Sequence, residues 1–398
     1  MGNTNGQFPE GAKGHLGIVD IVVVGIYMKS SVDVITLMAV TKKFYRFTEA
    51  YKYNVVPVLS KKLFPAMEKQ FLYSDKDEII ESVPKQVVTY PVTYSDFSNC
   101  DDEKLIFMKI KYTADDSKDF GEDIPEDVNV LSNCFDKKIK TIEIPQQIGS
   151  VEESALSGLT RLTRVDLGNI FVLPPRCFFG CKALKEIDLS NVVSLGASCF
   201  AQCTSLSKVT LCDELRHIGR GCFSFCKSLS TFESENLKEI HSKVPLWLSK
   251  IFNKSGITCS QVEFSLEDKD RYGNEIPEGV VHISSGCFEQ SNFLKEIVIP
   301  NTVTSIGESA FGFCGMLSKV VLPQTIKSLP QKCFRYDYSI TCIEIPTTIT
   351  HIGEECFLDC CNIKEISLEK GVQLDKYAFS NCLRLTDLPE QVTMIKNE

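Results

Sequence analysis

The sequence of 398 residues lacks the motifs that carry most enzyme chemistry. It has no Gly-x-Gly-x-x-Gly, no Walker loop, no His-Glu-x-x-His and no nucleophile elbow, and it holds five histidines and one tryptophan. Acidic residues are numerous, but in so charged a chain no pair of them stands out as an acid–base couple. We therefore expect a non-catalytic protein that needs no cofactor and no metal ion.

Long apolar runs are absent as well. A membrane-spanning helix needs about 20 apolar residues, whereas the most apolar stretch, 18–28, covers about three helical turns and includes Asp20. The polar, glycine-rich residues before it do not resemble a signal peptide, and the last residues do not form a prenylation box. Myristoylation of Gly2 stays open, although Gly6 stands where that motif has Ser or Thr. We expect no transmembrane span.

Positive charge is scarce relative to negative charge. The chain has 43 basic and 52 acidic residues, a formal net charge of −9, and no polybasic run. Nucleic acids and anionic lipids bind through clustered positive charge. The balance therefore argues against both as partners, and we expect a monomer that binds other proteins.

In place of such motifs, one line of residues recurs every 22 or 23 positions. Each copy has an Ile/Leu-Pro step, an Ile-Gly, a Cys-Phe or Ala-Phe, a Cys, and then Leu-x-x-Ile. We call the aromatic residues of this line the anchors, and they are Phe178, Phe200, Phe223, Phe288, Phe311, Phe334, Phe357 and Phe379, preceded in the same phase by Phe135 and Leu156. A fixed period of this length is typical of a solenoid, whose repeats bury their apolar faces against their neighbours. We expect an α/β repeat solenoid with a parallel sheet on its concave side and a short helix or turn at each anchor.

The eighteen cysteines follow the same register. Seven directly precede an anchor and six follow one by three positions: Cys134, Cys177, Cys199, Cys222, Cys287, Cys333 and Cys356, then Cys181, Cys203, Cys226, Cys314, Cys360 and Cys382. Free cysteine is a small, readily buried side chain, so we interpret both columns as packing. Disulfides and a metal site are the alternatives, although the four-residue spacing is not that of a zinc knuckle. Structural thiols in such numbers favour a reducing compartment, which predicts a cytoplasmic location.

Three of the five histidines share one repeat position. His217, His282 and His351 each lie six residues before an anchor. Other repeats have Val172 or Ser194 at this place. We interpret the position as a tolerant surface site and not as a catalytic base.

The repeat divides the chain into segments. Residues 1–95 lack it and are predicted to form a small, mainly helical domain. Residues 96–121 are predicted to be a capping strand and turn, 122–232 the first repeat block, 233–273 an interruption and 274–398 the second block. Each block is expected to begin with an edge strand and turn, because the lines 110–128 and 262–280 resemble each other in sequence.

The interruption carries the one tryptophan, Trp247. Leu246, Lys250 and Phe252 have a spacing that is compatible with a short amphipathic helix. Packing of this helix between the two blocks is one interpretation. An exposed helix that docks a partner is the other.

The line from 299 to 322 reads I-P-x-x-V-x-x-I-G-x-x-x-F-x-x-C-x-x-L-x-x-I-x-L and resembles the BspA-like leucine-rich repeats. The resemblance covers about 122–398 and implies a leucine-rich repeat solenoid that recognises proteins, in a surface antigen or adhesion role. The segment 40–54, with Leu63-Phe64-Pro65, is similar to the helical leader of protist members and weakly similar to an F-box. An intracellular scaffold or F-box-like adaptor is therefore the alternative function, and association with the cell surface the alternative location.

The predicted binding face consists of the strand residues between the inward Ile and Leu positions. Side chains alternate across a strand, so these residues point away from the core. They form two columns: Glu143, Asp166, Asp188, Thr210, Val298, Val321, Glu344 and Ser367, and beside them Arg164, Glu186, Lys208 and Lys319. The first block presents mostly acidic residues, and Val298 with Val321 offers an apolar contact to a protein.

Overall fold

A computed structural model describes residues 24, 26–40, 47–121 and 123–385, and the backbone of 393 and 394. The chain forms two compact units, 1–135 with 147–149 and 136–146 with 150–398, called unit 1 and unit 2 below. None of the described helices is long and apolar enough to cross a membrane. The predictions for Gly2, for most of 18–28 and for part of 40–54 lie outside the described residues.

Unit 1 combines a small helical region with short parallel strands. In chain order its elements are α1 Ser31–Val40, a 3₁₀ helix Phe47–Ala50, β1 Lys69–Leu72, β2 Lys85–Val88, β3 Val92–Thr93, α2 Tyr94–Ser98, β4 Leu105–Phe107, β5 Ile110–Tyr112, α3 Ala114–Phe120 and β6 Val130–Leu131. Val34 of α1 packs with Phe47, Tyr51 and Phe64 in a buried cluster. A small helical region at this end of the chain is therefore confirmed.

The strands of unit 1 begin earlier than the predicted domain limits. β1, β2 and β4 pair in parallel, and so do β3, β5 and β6. Strands thus occupy part of 1–95, predicted as mainly helical. The segment 96–121, predicted as a capping strand and turn, contains two strands and α3. No Cys-Phe anchor lies in these segments, so the repeat pattern of the sequence did not reveal their strands.

Unit 2 is a parallel solenoid built from two rows of strands and one row of turns. Row A holds the longer strands: β7 Thr141–Glu143, β9 Arg164–Asp166, β11 Glu186–Leu189, β13 Lys208–Leu211, β15 Thr231–Glu233, β21 Glu296–Val298, β23 Lys319–Val321, β25 Cys342–Glu344 and β27 Glu365–Ser367. Row B holds β8 Ser150–Val151, β10 Val172–Leu173, β12 Ser194–Leu195, β14 His217–Ile218, β20 His282–Ile283, β22 Ser305–Ile306, β24 Ser328–Leu329, β26 His351–Ile352, β28 Gln373–Leu374 and β29 Thr393–Met394. The predicted parallel pairing is confirmed, with equivalent residues of successive repeats in register.

The interruption contributes six further elements: β16 Glu239–Ile240, β17 Val244–Pro245, α4 Leu246–Lys254, β18 Thr258–Cys259, β19 Val262–Phe264 and α5 Leu266–Tyr272. β17 and β19 continue row B into β20. In row A no described strand lies between β15 and β21, and α4 instead contacts β15. The predicted helix is thus present, and its Trp247 and Phe252 are buried. Its apolar residues therefore pack inside the fold and do not form a docking surface.

The anchor phenylalanines stack on one another along unit 2. Phe178, Phe200 and Phe223 form one stack with ring centroids 5.2 and 5.5 Å apart and nearly parallel planes. A second stack starts at Phe264 and continues through Phe288, Phe311, Phe334, Phe357 and Phe379, with centroids 5.0–5.8 Å apart. Because each ring inside a stack lies between two others, its burial depends on both neighbouring repeats.

Of the predicted short helix or turn, the anchor segments form turns. The residues two before and two after an anchor have positive φ, as Arg176 (57°) and Gly180 (72°) show around Phe178. Left-handed residues at this spacing cannot belong to a helix. The amide groups are satisfied between repeats instead: Phe178 N–H donates to the Cys199 carbonyl and Gly180 N–H to the Ala201 carbonyl, both at 2.8 Å.

The recurrent glycine is explained by close approach of two backbones. A Cβ on Gly307 would lie 2.3 Å from the amide nitrogen of Ser285 in the preceding repeat, and a Cβ on Gly353 would lie 2.6 Å from that of Gln331. The glycine therefore sets the distance between repeats.

The thirteen cysteines of the two columns are all buried, which confirms their packing role. The Sγ atoms of the second column donate to the carbonyl of the preceding anchor, as Cys360 does to Phe334 at 2.9 Å. All eighteen cysteines are free thiols in the structure. Among the described residues no group of three His, Cys, Asp or Glu could hold a metal ion.

The similar segments 110–128 and 262–280 form the same local structure. Asp116 in α3 and Asp268 in α5 are both buried, and each forms a capping box with the residue before its own helix. Each carboxylate also accepts from the first turn of the preceding helix. Ser95 N–H donates to Asp116 at 2.8 Å and Trp247 N–H to Asp268 at 2.7 Å.

The expectation of edge strands at these places is wrong. β5 lies between β3 and β6, and β19 lies between β17 and β20. The partner strands that precede them are two residues long, and one ends in Pro245. Such short segments carry no periodic signal in the sequence.

Replacing Phe311 by Ala is expected to lower the free energy of unfolding by about 3–5 kcal/mol, as for other buried aromatic residues. Phe311 is fully buried between Phe288 and Phe334. Phe293 is 91% exposed, so Phe293→Ala is the matched control and should change stability little. Denaturant unfolding measures both variants, and equal losses would contradict the stacking.

The cysteine columns predict which thiols react in the folded protein. Burial raises the pKa of Cys226, Cys287 and Cys314 to about 12, and thiols react as thiolates. Brief alkylation of the native chain should modify the exposed Cys342 first, and the thirteen column cysteines only after denaturation. Peptide mass mapping measures this, and fast labelling of the columns would contradict their burial.

Candidate functional site

The predicted binding face is formed by row A of unit 2. Inward Ile187 is buried, whereas Glu186 and Asp188 on either side of it are exposed, and the same alternation holds in β7, β9, β21, β23, β25 and β27. On β13, Lys208 and Thr210 are half-buried. All twelve predicted residues therefore lie on the outer side of row A, which we call the strand face.

Six of the predicted residues surround one concavity. It has a volume of about 420 Å³ and lies where β9 and β11 belong to separate sheets. Its predicted lining residues are Arg164, Asp166, Glu186, Asp188, Lys208 and Thr210. We call this group, together with Glu143 beside it, the acidic patch.

Local hydrogen bonds fix two of its carboxylates. Asp166 Oδ1 accepts from Gly168 N–H at 3.0 Å, and Asp188 Oδ1 accepts from Ser190 N–H at 2.9 Å. Asp166 also has Glu143 as its register neighbour on β7. Like charges directly opposite one another destabilise a sheet, so this arrangement is unfavourable while the face is unoccupied.

The cations of the acidic patch do not neutralise it. Lys208 pairs with Glu233 on β15 at 2.8 Å, and this contact raises the pKa of Lys208. Arg164 and Glu186 make no ion pair with any described residue, although Glu186 is the register neighbour of Lys208. The patch therefore keeps exposed negative charge.

The second block presents a different surface. Val298 and Val321 are register neighbours on β21 and β23 and are 58% and 41% exposed. Lys319 lies beside them and pairs with Glu296 at 3.6 Å. We call Val298 and Val321 the valine patch.

The structure does not bring the twelve residues into one site. α4 takes the place of a row A strand between β15 and β21, so it separates the acidic patch from the valine patch. Glu344 and Ser367 are register neighbours on the further sheet formed by β25 and β27. The two columns in the sequence predicted that these side chains point outwards. They did not predict that α4 and the sheet boundaries separate them.

Family comparison agrees with the repeat line. The model of the BspA-type leucine-rich repeat region matches residues 128–245 and 274–398 in six copies. The chain belongs to the BspA-type leucine-rich repeat family. The matched ranges include 128–232 of the first block and all of the second, and they leave out α4, β18, β19 and α5. Membership implies protein recognition in a general sense and names no partner.

Solved structures with similar chains are bacterial leucine-rich repeat proteins. A leucine-rich cell surface protein of Faecalibacterium prausnitzii is 19% identical, with 77% of this chain and 83% of that chain covered and a TM-score of 0.35. A leucine-rich repeat protein of Bacteroides ovatus is 20% identical, with coverages of 68% and 88% and a TM-score of 0.34. One of Eubacterium ventriosum is 17% identical, with coverages of 64% and 86% and a TM-score of 0.34. No individually curated protein matches this BspA-type chain.

The histidine column has structural contacts in two of its three members. His282 bonds to Ser305 through Nδ1 at 2.5 Å and to Gln261 through Nε2 at 2.7 Å, and burial lowers its pKa. His351 pairs with Asp375 at 3.0 Å. These contacts join neighbouring repeats, and the sequence gave no sign of them.

Sequence reasoning missed Asp337, which stands where the second cysteine column has Cys314 and Cys360. Its carboxyl group is fully buried; Oδ1 accepts from Cys314 N–H at 2.7 Å and Oδ2 has no partner within the described chain. Burial raises the pKa of Asp337 to about 9. The break in the cysteine column was the available signal.

Replacing Asp337 by Cys restores the column and is expected to stabilise the protein at neutral pH. Asp337 has a pKa of about 4 in the unfolded chain and of about 9 in the folded protein. The free energy of unfolding therefore falls as pH rises between these two values. The variant should lose this pH dependence, worth on the order of 2–4 kcal/mol between pH 4 and 7. Unfolding at several pH values measures it, with the exposed Asp270→Asn as control. An unchanged pH slope would contradict the assignment.

Proposed function

We propose that this protein binds a partner protein through the strand face, and that the acidic patch takes up basic side chains of the partner. The observation that carries the proposal is the 420 Å³ concavity with Asp166, Glu186 and Asp188 around it. Lysine or arginine entering there would pair with carboxylates whose mutual repulsion the fold does not relieve.

The valine patch supports the same function by a different contact. Exposed apolar residues within a polar surface are suited to protein anchors. Val298 and Val321 would contact an apolar residue of the partner while the acidic patch fixes its orientation. A regular array of rigid strands loses little conformational entropy on binding.

A random peptide library displayed on phage tests the proposal. Peptides selected on the wild-type chain should be rich in Lys and Arg. The double variant Asp166→Asn with Asp188→Asn should bind them about tenfold more weakly, which corresponds to about 1.4 kcal/mol. Both substitutions are at exposed positions, so the fold should persist.

The matched control removes two charges elsewhere. Glu278 and Glu354 are exposed and lie outside row A. Glu278→Gln with Glu354→Gln should leave binding of the selected peptides unchanged. Peptides without basic residues, or equal losses in the two double variants, would overturn the proposed role of the acidic patch.

We further propose that this protein works in a reducing compartment such as the cytoplasm, as a scaffold or adaptor. Eighteen free thiols support this, because proteins of oxidising compartments convert thiols into disulfides. Association with the cell surface, in an adhesion role, is the competing proposal. Alkylation during isolation from the source cells separates the two, since a large deficit of free thiols would favour the surface.

A further inference from the structure

The backbone hydrogen bonds between the described turns of unit 2 all run in one direction. The amides of Ser198, Phe200 and Gln202 donate to carbonyls one repeat later in the chain, at 2.8–2.9 Å. The turn around Phe223 is the last of its stack, because α4 follows where the next turn would be. Its amides therefore face outwards from the stack with no following carbonyls to accept them.

One of these amides has a substitute acceptor. Phe225 N–H donates to the carboxylate of Glu267 on α5 at 3.3 Å. The N–H groups of Gly221 and Phe223 have no hydrogen-bond partner anywhere in the described chain. Gly221 is left-handed, with φ of 63°. Amides of successive left- and right-handed residues form a nest that attracts anions.

Gly221 and Phe223 line a cavity of about 570 Å³. Arg220 and Lys243 line it as well, and among the described residues neither forms an ion pair with a carboxylate. Unpaired cations and unpaired amides thus meet in one space. A volume between 300 and 1,000 Å³ is typical of sites for small organic ligands.

The opposing groups in the cavity are Glu263, His217 and His282. Burial raises the pKa of Glu263, while the charges of Arg220 and Lys243 act against that rise. His282 is held by hydrogen bonds on both nitrogens. Two cations therefore face one carboxylate, and the cavity retains positive charge even with both histidines neutral.

The rest of the lining consists of serines, among them Ser242 and Ser284, and of apolar residues. Val244, Pro245, Ile283 and Ile306 contribute to it, together with Trp247. Trp247 is 2% exposed and its indole N–H has no partner in the described structure. Buried tryptophan usually finds an acceptor for this group. The cavity therefore combines an anion-binding end with walls that suit a ring or alkyl group.

We propose that this cavity binds an organic oxyanion, and that a phosphate monoester with an apolar body matches it best. Its oxygens would accept from Gly221 and Phe223 N–H and face Arg220 and Lys243. A dianion complements two cations better than a carboxylate does, because it carries two negative charges and the carboxylate only one. The cavity lies off row A, so the site is independent of the strand face.

Calorimetric titration of the full chain with phenyl phosphate, at constant ionic strength, tests the proposal. Arg220→Gln combined with Lys243→Gln should weaken binding by about tenfold or more. Glu263→Gln removes the opposing carboxylate and should tighten binding by about threefold. A merely structural role of these residues would not produce changes in opposite directions.

The matched control is Arg216→Gln with Lys238→Gln, which removes the same charge from neighbouring exposed positions outside the cavity. It should leave the Kd unchanged. Absence of saturable binding to phenyl phosphate, or equal weakening in the control, would overturn the site. Benzoate or benzyl alcohol bound as tightly as phenyl phosphate would overturn the assignment to a dianion.

Discussion

The fold of unit 2 depends on one constraint: each repeat can satisfy its turn and bury its anchor ring only against the next repeat. The turn amides near Phe178 donate to carbonyls of the following turn, and the ring itself stacks on Phe200. Left-handed residues on both sides of each anchor exclude a helix that could satisfy these amides locally. Stability is therefore shared between neighbours, as in other solenoids.

The same constraint makes every break in the array costly, and the interruption shows how the chain compensates. Phe232 contacts the edge of Phe223 and packs on Phe252 of α4, with ring centroids 5.5 and 4.1 Å apart, so the end of the first stack is covered. Glu267 accepts one of the free amides. Lys269, two residues along α5, lies over Phe288 at the other side. The short helix α5 thus contacts both flanking stacks.

Two of the breaks in the rows also place the two proposed sites. The acidic patch lies where β9 and β11 belong to separate sheets, and the anionic-ligand cavity lies where the first turn stack ends. In paired strands and stacked turns the backbone N–H and C=O groups bond to one another, so few of them remain free to bind a ligand. Unused hydrogen-bonding capacity and charge therefore collect at the breaks.

The sequence by itself determined the period, the inward and outward positions of row A, the burial of thirteen cysteines and the family. These follow from short-range rules. The alternation along a strand is visible within one repeat, and the positions that stack are visible when successive repeats are compared. Only the tertiary structure decided the turns at the anchors, the strands of unit 1, the carboxylate caps from Asp116 and Asp268, and the free amides of Gly221 and Phe223. Those features arise from contacts about 20 residues or more apart, whose partners the local pattern does not name.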